Sequence, residues 1–187
     1  MLILASASPR RQELLRQIGC TFRVVPAVTG ELQDEAMPPA ELVRENARRK
    51  AQAVAQEFPE DIVLGADTVV VLDGTVFGKP RDAADAMRML RALSGRRHEV
   101  YTGVALVTGK KVYTDVGITV VEFAVMEEDT IQRYVSTGEP LDKAGAYAVQ
   151  GRAAAYITRI EGSFSNVVGL PLQLTRSLAE KAGMRLL

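Results

Sequence analysis

This sequence predicts a mixed fold, α/β or α+β, on three observations. Strand-like and helix-like segments alternate, a β-branched run fills Asp61–Leu72, and Pro39–Phe58 is amphipathic at helical spacing. Leu2–Ala5 is short and apolar, as a buried strand is. Ser8 suits a helix N-cap and Pro9 the first helical position, so a helix is expected over Pro9–Ile18, stopped by Gly19. Phe22–Val25 reads as a second strand, and the polar stretch Thr29–Pro39 as a loop. Within Pro39–Phe58, Val43, Ala47 and Val54 mark one apolar stripe. Asp61–Leu72 is either a pair of strands or one bent strand. Asp82 caps a helix running to Leu93, which ends at Ser94-Gly95. Glu99–Val107 and Lys111–Val125 pair as a hairpin around Gly109. Glu127–Thr137 is a helix, Tyr156–Ile160 a strand, Gly162–Pro171 a loop and Leu172–Ala182 the last helix. No repeat, low-complexity tract or long linker interrupts the chain. Residues 1–187 therefore read as one domain, with two lobes around a cleft as its internal division.

Composition narrows the chemistry. Hydrophobic residues make up 47% of the 187, too many for a disordered chain and enough for a compact core. Lys+Arg and Asp+Glu both number 23, so no basic excess exists to displace counterions, and aromatics are only 5%; nucleic-acid binding is not expected. A single cysteine, Cys20, excludes an internal disulfide, and a single histidine, His98, excludes a His-cluster metal site. Any metal must be held mainly by oxygen, which points to Mg²⁺ or Mn²⁺. The apolar start is too short for a secretory signal, and Arg10 and Arg11 follow it instead of preceding it. No stretch is long enough to span a membrane. A cytoplasmic protein is expected.

Several places carry polar chemistry that packing does not require. Arg10 and Arg11 stand in a first helical turn, where the dipole favours acids; they are either solvated or paired with an anion such as a phosphate chain. Lys50 lies on the apolar stripe of its helix and must snorkel, pair with an acid or point into a cleft. Asp67-Thr68 interrupts an apolar β-branched run, where a carboxylate is costly unless it is paired, metal-bound or catalytic, or caps a bend. Gly74–Pro80 only superficially suggests a phosphate-binding loop: three residues separate its glycines where four are needed, and Pro80 stands where Ser or Thr is required. Lys79 remains a candidate phosphate contact, held extended by Pro80. The span from Glu139 to Arg152 crowds charges, glycines and one amide, Gln150, which can donate and accept as reading a base edge requires.

Taken together, Leu4-Ala-Ser-Ala-Ser8-Pro-Arg10-Arg11, Gly65-Ala-Asp67-Thr68, Gly78-Lys79-Pro80, Lys143-Ala-Gly-Ala-Tyr147, Gln150-Gly151 and Val168-Gly-Leu-Pro171 resemble the Maf family of nucleoside triphosphate pyrophosphatases, in order and over nearly the whole chain. The resemblance implies an α/β fold: a bent mixed sheet flanked by helices, with two lobes around a central cleft. It implies metal-dependent hydrolysis of a nucleoside triphosphate to the monophosphate and pyrophosphate. Asp67 matches the catalytic aspartate, the proton acceptor, and with Glu31 lies near the metal, Mg²⁺ or Mn²⁺. Arg10, Thr68 and Gln150 match positions linked to substrate choice. Ser8, Arg11, Lys50 and Lys79 match positions lining the phosphate site. The Lys143–Tyr147 and Gln150–Arg152 forms resemble the subgroup acting on dTTP and UTP, although Ala148-Val149 and Ala153-Ala154 replace residues often glycine in relatives, which would tighten the base pocket. The expected partners are the nucleotide and a second copy of the chain, with neither nucleic acid nor membrane. The alternative is a nucleotide-binding regulator of septum formation without essential catalysis. A pure binder needs the cations but not Asp67 and Glu31 together, so the enzyme reading is preferred.

Overall fold

The computed structural model describes residues 1–34 and 36–186. Strands β1 (Leu2–Leu4), β2 (Arg23–Val24), β3 (Ile62–Leu72), β4 (Thr75–Phe77), β5 (Arg97–Thr108), β6 (Lys111–Phe123) and β7 (Ile157–Glu161) form one mixed sheet in the order β2-β1-β3-β5-β6-β7, with β4 on β3. Strand β1 runs parallel to β2 and β3, whereas β3–β4 and β6–β7 are antiparallel. The helices are α1 (Pro9–Gln17), α2 (Pro39–Ala55), α3 (Ala83–Leu93), α4 (Glu128–Ser136), α5 (Phe164–Val168) and α6 (Leu172–Lys181). The α/β class is thus observed. The chain packs as two compact units, residues 1–67, 102–117 and 169–187 in the first, and 68–101 and 118–168 in the second.

In the first unit, parallel β1 and β2 are joined by α1, and parallel β1 and β3 are the strands that α2 covers. The core there is small-chained: Ala47, Ala51 and Val54 of α2 meet Ile3, Val63, Ala105 and Val107. Two glycines explain the close packing. A Cβ on Gly65 of β3 would lie 2.4 Å from the Ala47 carbonyl oxygen, and one on Gly103 of β5 would lie 2.2 Å from that of Val43. Helix α2 therefore lies backbone against backbone on both strands.

In the second unit, α3 is amphipathic, and Asp82 accepts a hydrogen bond from the Asp85 N–H at 2.8 Å, the expected cap. Its apolar face joins Phe77, Val121, Phe123, Ile131 and Tyr134 in a larger core. His98 is buried there, bonded to the Tyr147 hydroxyl at 2.9 Å and edge-on to Phe123.

Of the two readings of Asp61–Leu72, the single strand is observed, over Ile62–Leu72, with Asp67 satisfied inside it. Other expectations are corrected. The Gly74–Lys79 region contains strand β4, turned back on β3 through Asp73 and Gly74, both at positive φ (49° and 78°). The segment read as a loop before the last helix holds the short α5, and the chain after Glu139 forms three 3₁₀ turns. Strand β2 is shorter than Phe22–Val25, and α2 ends at Ala55 instead of Phe58.

Candidate active site

Asp67 sits at the middle of β3, with its side chain only 8% exposed. Two of its hydrogen-bond partners come from α2. The Lys50 ammonium donates to Asp67 Oδ1 at 2.6 Å, and the Asn46 amide donates to Oδ2 at 3.2 Å. Asn46 and Lys50 are four residues apart, one turn of the same helix face. Gly65 lets that face approach β3 closely enough for both bonds.

Lys50 does not snorkel. With its side chain 14% exposed, it also donates to Glu31 Oε1 at 2.6 Å, so one ammonium bridges two carboxylates from the loop and the strand. The loop is held by Asn46 as well. Its amide donates to the Leu32 carbonyl at 3.2 Å and accepts from the Leu32 N–H at 2.8 Å, as a neighbouring strand would. Asn46 thus ties the residue next to Glu31 to the residue that carries the buried charge.

Ser8 stands at the α1 N-cap in extended conformation, the position expected of it, but its side chain makes no capping bond. Its N–H donates to Ser6 Oγ at 3.2 Å. Arg11 donates through Nη1 to the same Ser6 Oγ at 3.2 Å and through Nε to the Gly169 carbonyl at 2.7 Å. Burial pulls the Arg11 pKa down, the charge of Asp67 opposes that, and neighbouring Arg10 adds to it. So Arg10, Arg11, Glu31 and Asp67 lie within one electrostatic neighbourhood. The guanidinium stays charged at any physiological pH because its ordinary value is so high.

The first unit therefore brings together Ser8, Arg10, Arg11, Glu31, Lys50 and Asp67. Thr68, half-buried, follows Asp67 directly on β3. Lys79 and Gln150 belong to the second unit, both exposed. Next to Lys79, the Gly78 carbonyl accepts the Gly145 N–H at 3.0 Å. Gly145 has φ 67°, and a Cβ there would meet Val70 at 2.7 Å. The Lys143–Tyr147 motif thus braces the backbone that carries Lys79.

Two carboxylates that share one cation at 2.6 Å suit a small divalent ion. Among the described residues no cluster of three or more His, Cys, Asp or Glu exists. The donor set therefore fits Mg²⁺ or Mn²⁺, which take one or two carboxylates and fill their shells with phosphate oxygens and water, and does not fit a fully protein-caged metal.

Sequence reasoning missed Ser6 and Asn46. Ser6 was legible only as part of a repeated Ala-Ser pair. Asn46 stood on the apolar stripe one turn before Lys50, and a buried amide there needs partners.

The profile of the Maf-like protein family matches residues 1–182. The chain is 56% identical over 182 residues to a dTTP/UTP pyrophosphatase of Symbiobacterium thermophilum, covering 97% of this chain and 94% of that protein. It is 50% identical over 188 residues to one of Pelotomaculum thermopropionicum, covering 100% of this chain and 98% of the relative. Among solved structures it is similar to the Staphylococcus aureus Ham1 protein, with a TM-score of 0.49 and 15% identity over 97% of this chain and 98% of that one. With a family profile spanning nearly its whole length and relatives at half identity or better from end to end, this chain belongs to the Maf family.

Proposed function

We infer that this chain is a nucleoside triphosphate pyrophosphatase that hydrolyses dTTP and UTP to the monophosphate and pyrophosphate in the cytoplasm, clearing the nucleotide pool. The observation that carries the chemistry is Asp67, a buried carboxylate clamped by Lys50 and Asn46 with Glu31 on the same ammonium. Asp67 orients the attacking water and takes its proton as the anhydride bond between the α- and β-phosphates breaks and pyrophosphate leaves. Arg11, Lys79 and Lys50 bind the triphosphate through charge-assisted bonds, and the Ser8 hydroxyl, not spent on capping, offers another contact. On binding the triphosphate, Lys50 would donate to phosphate oxygens in place of the two carboxylates, and Glu31 and Asp67 would be the residues to hold a divalent cation. That cation, when bound, neutralises charge developing on the phosphate oxygens. Arg10, Thr68 and Gln150 select the substrate. The identity to relatives named dTTP/UTP pyrophosphatase supports the choice of bases.

The test is pyrophosphate release from dTTP, UTP, CTP, ATP and GTP, with Mg²⁺, with Mn²⁺ and after chelation. Turnover is expected for dTTP and UTP above the purines, and only with metal. Asp67→Asn should lower turnover by about 10²–10⁴ while thermal melting shows a folded protein. A folded Asp67→Asn protein with near-normal turnover would transfer the role to Glu31. Absence of release from every nucleotide that binds would leave the regulator reading.

A further inference from the structure

The crowded span between Glu139 and Arg152 contains Gln150 but is not explained by it. Gln150 rides on a tight turn, in which the Gly151 N–H donates to the Ala148 carbonyl at 3.1 Å. The Ala148 N–H donates to the Tyr134 hydroxyl at 3.3 Å, and that hydroxyl donates to Glu139 Oε1 at 2.8 Å. On the other side, the Arg152 N–H donates to Glu139 Oε1 at 3.0 Å and Oε2 at 3.3 Å. The backbone two residues before Gln150 and two residues after it is therefore fastened to one Tyr–Glu pair.

Three further features belong to the same clamp. A Cβ on Gly151 would lie 2.2 Å from Glu139 Oε1, so the carboxylate rests directly on the backbone beside Gln150, and glycine is the residue that permits it. Glu139 is itself anchored: its N–H donates to Thr137 Oγ1 at 3.2 Å, and its carbonyl accepts from Lys143 Nζ at 3.0 Å. Burial pushes the Tyr134 pKa up, which keeps the hydroxyl protonated and donating. Only a carboxylate can accept from both the hydroxyl and the Arg152 N–H without turning a donor toward either of them. Gln150, by contrast, is exposed, so the hold on it is through the backbone from which its side chain starts.

We propose that Glu139, backed by Tyr134, is the positioning residue that fixes how Gln150 is presented and thereby sets discrimination between pyrimidine bases. The proposal rests on the reading of Gln150 as the base-contacting residue. An amide held in one orientation can both accept from N3–H and donate to O4 of a uracil ring, whereas cytosine presents the reverse pattern on that edge. A turn free to rock would let the amide satisfy either ring, and the preference would fall.

The experiment compares kcat/KM for UTP and CTP, which differ only on that edge. In Glu139→Gln and in Tyr134→Phe the UTP/CTP ratio is expected to drop by about tenfold or more, through a raised KM for UTP with kcat held within about threefold. Gln150→Ala should lower the ratio too, and the double variant Glu139→Gln/Gln150→Ala should fall no further than Gln150→Ala. Losses that are equal for UTP and CTP, or that multiply in the double variant, overturn the proposal and leave Glu139 a structural residue. If Gln150→Ala lowers the ratio and Glu139→Gln and Tyr134→Phe do not, the reading of Gln150 stands and the proposal alone fails. If Gln150→Ala leaves the ratio unchanged, the base-contact reading falls and the proposal falls with it. Tyr134→Phe, which removes a single oxygen, decides the matter should Glu139→Gln fail to fold.

Discussion

A lysine on an apolar helix stripe has few outcomes, and Lys50 takes the least exposed one. Its ammonium neutralises Asp67 inside an apolar strand and draws Glu31 onto the same point. The arrangement is a buried ion pair, so removing one partner leaves an uncompensated charge. In Lys50→Met, Asp67 keeps only the Asn46 amide among these contacts. Urea unfolding of that variant should show a loss of about 3–5 kcal/mol. Asp67→Asn removes the buried negative charge, and Lys50 keeps Glu31, so its loss should be about 1 kcal/mol. Equal losses in the two variants would mean that the pair is solvated and not the clamp described here. Lys50 and Asp67 were each legible from the sequence because each violates the pattern of its own element. Their pairing was not, since 17 residues separate them and no helical or strand spacing relates them.

At the scale of elements, the position of α2 is what makes the site. Gly65 and Gly103 remove side chains from the two strands beneath it, and Ala47 and Ala51 remove bulk from the helix. Gly65→Ala would force the helix off β3, because the atoms in the way are backbone, at 2.4 and 2.8 Å. A destabilisation of about 1–3 kcal/mol is expected, with a fall in turnover because Asn46 and Lys50 move away from Asp67. Gly30→Ala, where a Cβ meets nothing within 4 Å, is the control and should stay within about 0.5 kcal/mol. Thermal melting and dTTP turnover of the two variants check this, and a neutral Gly65→Ala would refute the close-packing account. Strand β4 was readable and was missed. Asp-Gly between β-branched runs is a hairpin signal, and the competing likeness to a phosphate loop hid it.

Across the whole molecule, the charges balance at 23 against 23, and no helix among the described residues is long and apolar enough to cross a membrane. Acid sensitivity then depends on individual buried groups, His98 foremost. Burial pulls its pKa from 6.5 down to about 4, so it is neutral in the folded chain. Below pH 6.5 the unfolded chain takes up a proton that the folded chain refuses. Stability should therefore be complete above that value and decline as pH falls toward about 4, by roughly 3 kcal/mol from this residue. Unfolding free energies at about pH 7 and about pH 4.5 measure it, and His98→Gln should flatten the slope over that range. An unchanged slope in that variant would assign the acid loss to carboxylates instead.

What the sequence by itself determined was everything governed by local rules: the apolar stripe of α2, the Asp82 cap, the Gly109 hairpin, and the oddity of Asp67, Lys50 and the Arg10-Arg11 pair. Its motifs also pointed to the family. The tertiary structure alone decided which of these oddities satisfy one another. Lys50 meets Asp67 and Glu31, Asn46 meets Asp67 and Leu32, Arg11 meets Ser6 and Gly169, and Glu139 reaches the turn under Gln150. The physical reason is the range of the forces involved. Periodicity and capping act within a turn or two of chain, whereas a buried charge or amide is satisfied by whatever the packing of distant backbone brings within about 3 Å.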